Sequence, residues 1–378
     1  MKIGLAIESL DAARGGAEQW TSQYAQWLAK AGHEVHVVAS QFGDDVENSI
    51  IQHRVARAET RIEFAQATEE ALESLDLDVT HDMGSGWQCD VFQPHGGSRT
   101  AAFEQNLLLL PGWMRPIKRL TAHRLPRYRE FQRLLMGQYM AEDRIFIALS
   151  QRVAHDFERF HGVRRGQIRV VYNGVDTDRF SPDHTPRYRQ IVRDELGVGD
   201  GDTLLLIVAH NFRLKGVPTL IAAVERLRRQ GWPVKLAVVG GKRRPRKGRR
   251  GDSVVFVGPA RETVPYYAAA DVYVQPTFYD PCSLVVLEAW ASGLPVVTSR
   301  FNGAGELMTP GREGALVDDP ANVAELCAAL EPFLDPGVRV ASCAAARALA
   351  LRHSLGRNCR DLLAVYEEVA ARRRRAAA

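Results

Sequence analysis

The chain has 378 residues, 46% of them apolar and 25% charged, with a formal net charge of +4. That length calls for two domains, and the composition is that of a globular chain with a substantial core. The five cysteines, Cys89, Cys282, Cys327, Cys343 and Cys359, form no CxxC pair and no metal-ligand spacing, which fits a reducing cytosol better than a disulfide framework. No run approaches the ~20 apolar residues of a membrane span, so any membrane contact is expected to be peripheral. A net charge this small neither favours nor excludes nucleic acid.

The opening MKIGLAIES has too short an apolar run for a signal peptide and reads as a first strand over 2–7. A Gly-rich turn follows, then a helix over 17–31 and a second strand over 33–39. Strand, turn, helix and strand in under about forty residues open a doubly wound α/β domain. The dinucleotide fingerprint G-x-G-x-x-G is absent. Paired glycines at Gly15 and Gly16 let a ligand approach the backbone, although a plain tight turn would look the same. Further strand ends are expected at 78–82 (DVTHD) and 90–98 (DVFQPHGGS). His95 sits on a loop at a strand C-terminus, where open α/β sheets bind ligands, yet a lone histidine is more often structural. Residues 111–140 carry seven cations (Arg115, Lys118, Arg119, Arg124, Arg127, Arg129, Arg133) against one acid, Glu130. Trp113, Leu120, Leu125, Tyr128 and Phe131 are interleaved with them. Such a mixture on a helix suits an anionic membrane surface or a phosphorylated glycolipid; a solvated helix face is the alternative.

A strand at 144–150, a helix at 151–160 and a strand at 168–172 lead to NGVD (173–176) and RFSP (179–182). A second α/β unit begins with TLLLIV at 203–208. Its turn, 210–216, leads into a helix over 217–229. Arg213 and Lys215 stand where that turn meets the helix, and two cations at a helix N-terminus suit a diphosphate. Arginine and lysine at a turn can equally be solvated. A strand at 234–241 is followed by KRRPRKGRR at 242–250, a like-charge run that is disordered or bound to polyanion. Strands at 254–257 and 272–275 and a short helix at 264–270 follow.

Residues 276–281 break the strand, and a helix is expected over 283–292, stopped by Gly293 and Pro295. On a helical wheel Leu284, Leu287 and Ala291 define an apolar face, with Glu288 inside that arc. A carboxylate there is costly to bury unless something hydrogen-bonds it. Asp280 lies eight residues earlier, roughly 12 Å away if the helical rise held throughout. That span suits a ligand with a sugar at one end, a ribose at the other and a diphosphate between. Free N–H groups at Cys282, Ser283 and Leu284 would face the diphosphate. The plain alternative is a helix whose Glu288 pairs with an arginine. FNGAGE at 301–306 is expected beside Glu288, and helices are expected within 318–334, 342–355 and 357–375.

The run from Asp280 to Val297, with Glu288, Ala291, Gly293, Pro295 and Val296, resembles the signature of the retaining group 1 (family 4-like) glycosyltransferases. Their motif spaces two carboxylates as E-x7-E ahead of G-x-P-V-V; here Asp280 stands in for the first glutamate. NGVD and RFSP resemble the family's inter-domain connection, and the short segment around Arg213, Lys215 and Gly216 is similar to that of lipopolysaccharide-core glucosyltransferases. The resemblance implies the GT-B fold: two doubly wound Rossmann-like α/β domains facing across a cleft. It implies an acceptor-side domain at 1–172, a donor domain at 173–355, and a C-terminal helix at 356–378 returning to the first domain with a basic tail. It also implies roles: Glu288 on the ribose, Asp280 on the donor sugar, Arg213 and Lys215 on the diphosphate, His95 on the sugar, Gly15 and Gly16 lining the cleft.

The reaction so implied moves a hexosyl-type sugar from a nucleotide diphosphate sugar, a co-substrate and not a cofactor, to a glycolipid or saccharide hydroxyl with retention. It needs no metal; Asp76–Asp78 and Asp176–Asp178 are Asp-x-Asp pairs without other metal-site features. A cytoplasmic protein is expected, peripheral on an anionic membrane through 111–140, with no specific nucleic-acid partner. Three rivals remain: a basic nucleic-acid binder using 242–250 and the Arg-rich tail, a catalytically idle GT-B interaction protein, and a GT-B epimerase. The donor base, the sugar, the acceptor and the oligomeric state are not readable from the residues.

Overall fold

Apolar β-branched strands alternating with amphipathic helices build two separate parallel sheets. The computed structural model describes residues 1–44, 46–122, 124–241 and 252–377. The chain divides into one unit of residues 1–172 and 358–378 and another of residues 173–357. The basic run 242–250 lies outside the described residues.

The first unit's seven-stranded sheet runs in the order Ile50–Arg54, Glu34–Ala39, Lys2–Ala6, Val79–Asp82, Val91–Phe92, Ile145–Ala148, Ile168–Val170. All its neighbours are parallel. Strand order reverses direction at Lys2–Ala6, so a crevice is expected at the carboxyl ends beside it. The last helix, Leu355–Ala377, supplies this unit's closing element from residue 358 onward. Its apolar stripe Cys359, Leu362, Tyr366 is buried. Trp20 donates to Asn358 at 3.0 Å, His81 and the Tyr366 hydroxyl are 2.5 Å apart, and Arg169 pairs with Glu368 at 2.7 Å.

The second unit's six strands run in the order Val254–Gly258, Val234–Val239, Thr203–Val208, Val272–Gln275, Val296–Ser299, Gly314–Val317, again all parallel. TLLLIV and VKLAVV are buried on both faces because helices cover both sides; the one charged residue, Lys235, donates to the Gly197 carbonyl. Leu205, Ile207, Val224, Leu236 and Val274 meet in one core.

Three expected helices differ. Residues 111–140 form two, Met114–Ala122 and Pro126–Tyr139; Leu125 is extended, as a residue before proline prefers, and Pro126 starts the second. Residues 318–334 hold Val323–Leu330 and a 3-10 turn, Glu331–Leu334, with Pro332 ending the regular helix. The helix expected from 342 begins at Pro336, where the Asp335 carboxylate accepts the Gly337 and Val338 N–H groups.

Candidate active site

The Asp280–Glu288 segment rests on a buried polar lattice. Asp280 and Asn302 form a bridge, the Asp280 N–H donating to Phe301 and the Gly303 N–H to Asp280. Asn302 then donates to Thr298 and accepts from Ser283 and Ala304. Ser283 donates to the Gln275 side chain, Thr298 to the Gln275 carbonyl, and Ser299 to Thr277. The Cys282 carbonyl accepts from Asn173 at 2.7 Å. Among the described residues Gln275 Nε2 and Asn173 Oδ1 have no partner in this lattice; its remaining hydrogen bonds hold the backbone in one conformation.

Several expectations change at this point. The Ser283 amide is not free: it donates to the Asn302 side chain at 3.3 Å. The helix is regular only over Leu284–Ala291, so its rise cannot be used as a ruler back to Asp280. Of the expected face, Leu287 and Ala291 are buried and Leu284 is not. Val286, Leu287, Ala289, Trp290 and Ala291 are fully buried, while Leu284 and Val285 share partial exposure with Glu288. The 301–306 turn is hydrogen-bonded to Asp280 and Ser283, at the start of the motif, and Gly303–Leu307 also packs against the Leu284–Ala291 helix that carries Glu288.

Glu288 is held by a residue that sequence reasoning missed. The Tyr267 hydroxyl donates to its Oε2 at 2.9 Å. Burial pushes the Glu288 carboxyl up to about 7, opposed by the Tyr267 hydrogen bond and by Arg179, with Glu262 reinforcing the rise. No arginine pairs with Glu288 among the described residues; Arg179 pairs with Glu262 at 3.3 Å instead. The RFSP run packs here through Phe180, edge-on to Tyr267 at 5.6 Å. Arg347 pins that run to the helix end, donating to Thr177, Phe180 and Ala291 carbonyls at 2.7–3.0 Å. The sequence shows Tyr267 only as an aromatic in a short helix, and nothing in its spacing ties it to residue 288.

Lys215 and Asp280 come together. Lys215 Nζ lies 2.5 Å from Asp280 Oδ2, with side chains 22% and 11% exposed. The turn carrying Lys215 is fastened to the strand end before Asp280: Phe278 N–H and Thr277 Oγ1 both donate to the Leu214 carbonyl. Gly216 makes this approach feasible. Its φ is +76°, and a Cβ there would sit 2.1 Å from the Pro276 carbonyl oxygen. Arg213 is on the same turn, two residues before Lys215. The Tyr273 hydroxyl feels both Glu288 and Asp280, which help burial push its pKa up. Asp280 precedes the Leu284–Ala291 helix and Glu288 lies within it. With the Lys215 turn, this segment offers a cation beside a carboxylate, the start of the Leu284–Ala291 helix, and a second carboxylate able to accept from hydroxyls.

The remaining expected residues belong to the first unit. Gly15 is the extended N-cap of the Gly16–Lys30 helix with φ −176°, so neither glycine is needed for a left-handed turn. His95 packs against Trp20 at 4.8 Å, and burial lowers its pKa to about 4, so the ring is neutral. Its Nε2 is buried without a hydrogen-bond partner among the described residues. In 111–140 the large side chains part company. Trp113 and Leu120 are 71% and 69% exposed, whereas Tyr128 packs on Phe103 and Phe131 lies under two arginines. Arg119 is bound to Glu104 at 2.5 Å.

Among the described residues no cluster of His, Cys, Asp or Glu could hold a metal ion. No described helix is long and apolar enough to cross a membrane.

Two family descriptions match the chain: Glycosyltransferase Family 4 over residues 14–179 and Glycosyl transferases group 1 over 202–335. A D-inositol 3-phosphate glycosyltransferase of Xylanimonas cellulosilytica is 32% identical over 255 residues, covering 62% of this chain and 60% of that protein. A GDP-mannose-dependent alpha-(1-6)-phosphatidylinositol monomannoside mannosyltransferase of Mycolicibacterium smegmatis is 35% identical over 161 residues, 38% of this chain and 41% of that one. The chain thus aligns with about two-fifths to three-fifths of these relatives' lengths. The crystal structure of WaaG, a glycosyltransferase involved in lipopolysaccharide biosynthesis, superposes with a TM-score of 0.76 at 21% identity, over 97% of this chain and 98% of that one.

Proposed function

From the premise that the chain belongs to the group 1, family 4 glycosyltransferases and has their GT-B fold, we propose that it transfers a hexosyl-type sugar from a nucleotide diphosphate sugar to an acceptor hydroxyl, with retention. The observation that carries this reading is the Lys215–Asp280 ion pair beyond the carboxyl ends of the strands Thr203–Val208 and Val272–Gln275, just ahead of the helix that carries Glu288.

In this reading Glu288 accepts from the ribose hydroxyls, and Tyr267 fixes the carboxyl for that purpose. Lys215 and Arg213 meet the diphosphate, whose charge grows as the glycosidic bond breaks. Preorganised cations there stabilise the transition state more than the bound donor. Asp280 holds Lys215 in place beforehand, and donor phosphate oxygens then compete for the same ammonium while Asp280 turns to a sugar hydroxyl. The Leu284 amide, at the start of the helix, is the donor of the 282–284 group best placed to add to this charge stabilisation. The departing phosphate oxygen takes the acceptor proton on the same face. The family resemblance alone assigns Gly15, Gly16 and His95 to the donor, His95 as a neutral ring that donates or accepts but carries no charge.

The related proteins' names cover inositol phosphate and a phosphatidylinositol mannoside as acceptors, which supports a phosphorylated polyol or glycolipid here. The exposed Trp113 and Leu120, flanked by Arg115, Lys118 and Arg124, support peripheral contact with an anionic membrane.

The test is transfer monitored by NMR, which reads the anomeric configuration of the product. Wild type is expected to give a retained product from one nucleotide sugar, and Lys215→Ala and Glu288→Ala to lose it. Transfer unchanged in both variants would falsify the assignment.

A further inference from the structure

At the carboxyl ends of the first unit's central strands lies a cavity of about 290 Å³. Glu8 follows the strand Lys2–Ala6, Ser40 and Gln41 follow Glu34–Ala39, and Gly84 and Ser85 follow Val79–Asp82. Four arginines line it: Arg14, Arg57, Arg61 and Arg99. None of the four takes part in a salt bridge among the described residues, and Arg14 donates to the Gln41 side chain at 2.7 Å. Arg61 and Arg99 lie over the same Phe131 ring, at 4.2 and 4.8 Å from its centroid. Each is also the first residue of its helix, Arg61–Glu73 and Arg99–Leu107, where the helix dipole disfavours a cation.

Two like charges gathered on one ring at two helix starts are mutually unfavourable, and burial together with Arg61 lowers the pKa of Arg99. Such a cluster is relieved by an anion. We propose that this cavity is an anion subsite, with Arg61 and Arg99 at its centre, that takes the phosphate ester of a polyhydroxylated molecule. Glu8, Glu59 and Glu130 share the lining, so a bare polyanion is a poor fit. Glu130 is occupied by the Arg61 N–H at 2.6 Å; Glu8 and Glu59 are placed to accept from ligand hydroxyls. At the lower end of ligand-site volumes, the cavity suits a headgroup and not an acyl chain. Its walls are set by Asp82, whose buried carboxylate accepts the Gly84, Ser85 and Gly86 N–H groups at 2.7–2.8 Å. Calling this ligand the acceptor rests on the glycosyl-transfer reading; the anion site itself does not.

The experiment is calorimetric titration of the full chain with glucose 6-phosphate, inorganic phosphate and glucose. Sedimentation with phosphatidylcholine vesicles containing phosphatidylinositol or phosphatidylserine forms the second arm. Glucose 6-phosphate is expected to bind and glucose not to, with Arg61→Ala/Arg99→Ala weakening it at least tenfold. If the phosphate comes from a lipid, the same double variant loses phosphatidylinositol vesicles while keeping phosphatidylserine ones. Circular dichroism checks folding, and Arg61→Lys/Arg99→Lys replaces the alanine pair should that one unfold. Equal binding of every phosphorylated probe by wild type and variant, or no binding by wild type, overturns the site. A nucleotide-sugar titration run alongside shows separately whether donor recognition has failed.

Discussion

The two units treat their charges in opposite ways. In the second, each functional charge already has a partner: Lys215 has Asp280, and Glu288 has Tyr267. In the first, Arg61 and Arg99 are stacked on one ring, Phe131, and neither takes part in a salt bridge among the described residues. A site whose charges are internally matched holds its shape when empty and needs only exchange of partners when the ligand arrives. A site of gathered like charges is strained when empty and gains most from an anion. The difference suits a donor site that must be preorganised for chemistry and a headgroup site that only has to bind.

That contrast can be broken most forcefully at Lys215. Lys215→Ala should lower kcat by about 10²–10³-fold, the usual consequence of removing one transition-state charge donor, as read by steady-state kinetics on folded protein. Glu288→Ala should follow, weakening donor binding about tenfold to a hundredfold by calorimetry, since it removes hydrogen bonds to a charged acceptor. In the first unit, Asp82→Ala leaves three loop N–H groups without their acceptor and should destabilise the chain by about 2 kcal/mol in denaturant unfolding.

The pH dependence sharpens the same comparison. Burial lifts Glu288 from 4.5 to about 7 and Asp82 from 3.8 to about 6. The folded chain holds both protons more tightly than the unfolded one. The associated stability is therefore present at low pH and is lost as pH rises through about 6 for Asp82 and 7 for Glu288. The melting temperature of Glu288→Gln should keep the fall due to Asp82, between about pH 4 and 6, and lose the part due to Glu288, which spans about pH 4.5 to 7. Donor affinity should run the other way, dropping as acid protonates the carboxylate that must accept from the ribose. The smallest effect is at the surface: Trp113→Ser/Leu120→Ser should change stability by under about 0.5 kcal/mol while reducing sedimentation with anionic vesicles.

Much of the second unit's site was legible because its parts are close in sequence. Lys215 and Gly216 stand at a strand-to-helix turn, and Asp280 and Glu288 bracket one helix start, so local rules of capping and periodicity reach them. Tyr267 and Arg347 were not legible, because each touches the motif from another helix and only tertiary packing brings it there. The Ser283 amide was misread for the same reason: its acceptor, Asn302, arrives from a turn nineteen residues away. In the first unit His95 could be placed on its loop, but not its packing on Trp20. The arginine cavity was invisible in the sequence, since residues 14, 57, 61 and 99 converge only once the strands carrying their loops are laid side by side. The two helices of 111–140 show the intermediate case: the exposed Trp113 and Leu120 could be read, but not the withdrawal of Tyr128 and Phe131 into packing.

The most direct measurement of the central claim is a thermal-shift titration of wild type, Lys215→Ala and Glu288→Ala with UDP-, GDP- and ADP-sugars. The account predicts that one nucleotide sugar raises the wild-type melting temperature by several degrees at saturating concentration, and that each variant loses most of the shift. Either no nucleotide sugar shifting wild type, or an undiminished shift in both variants, would contradict it.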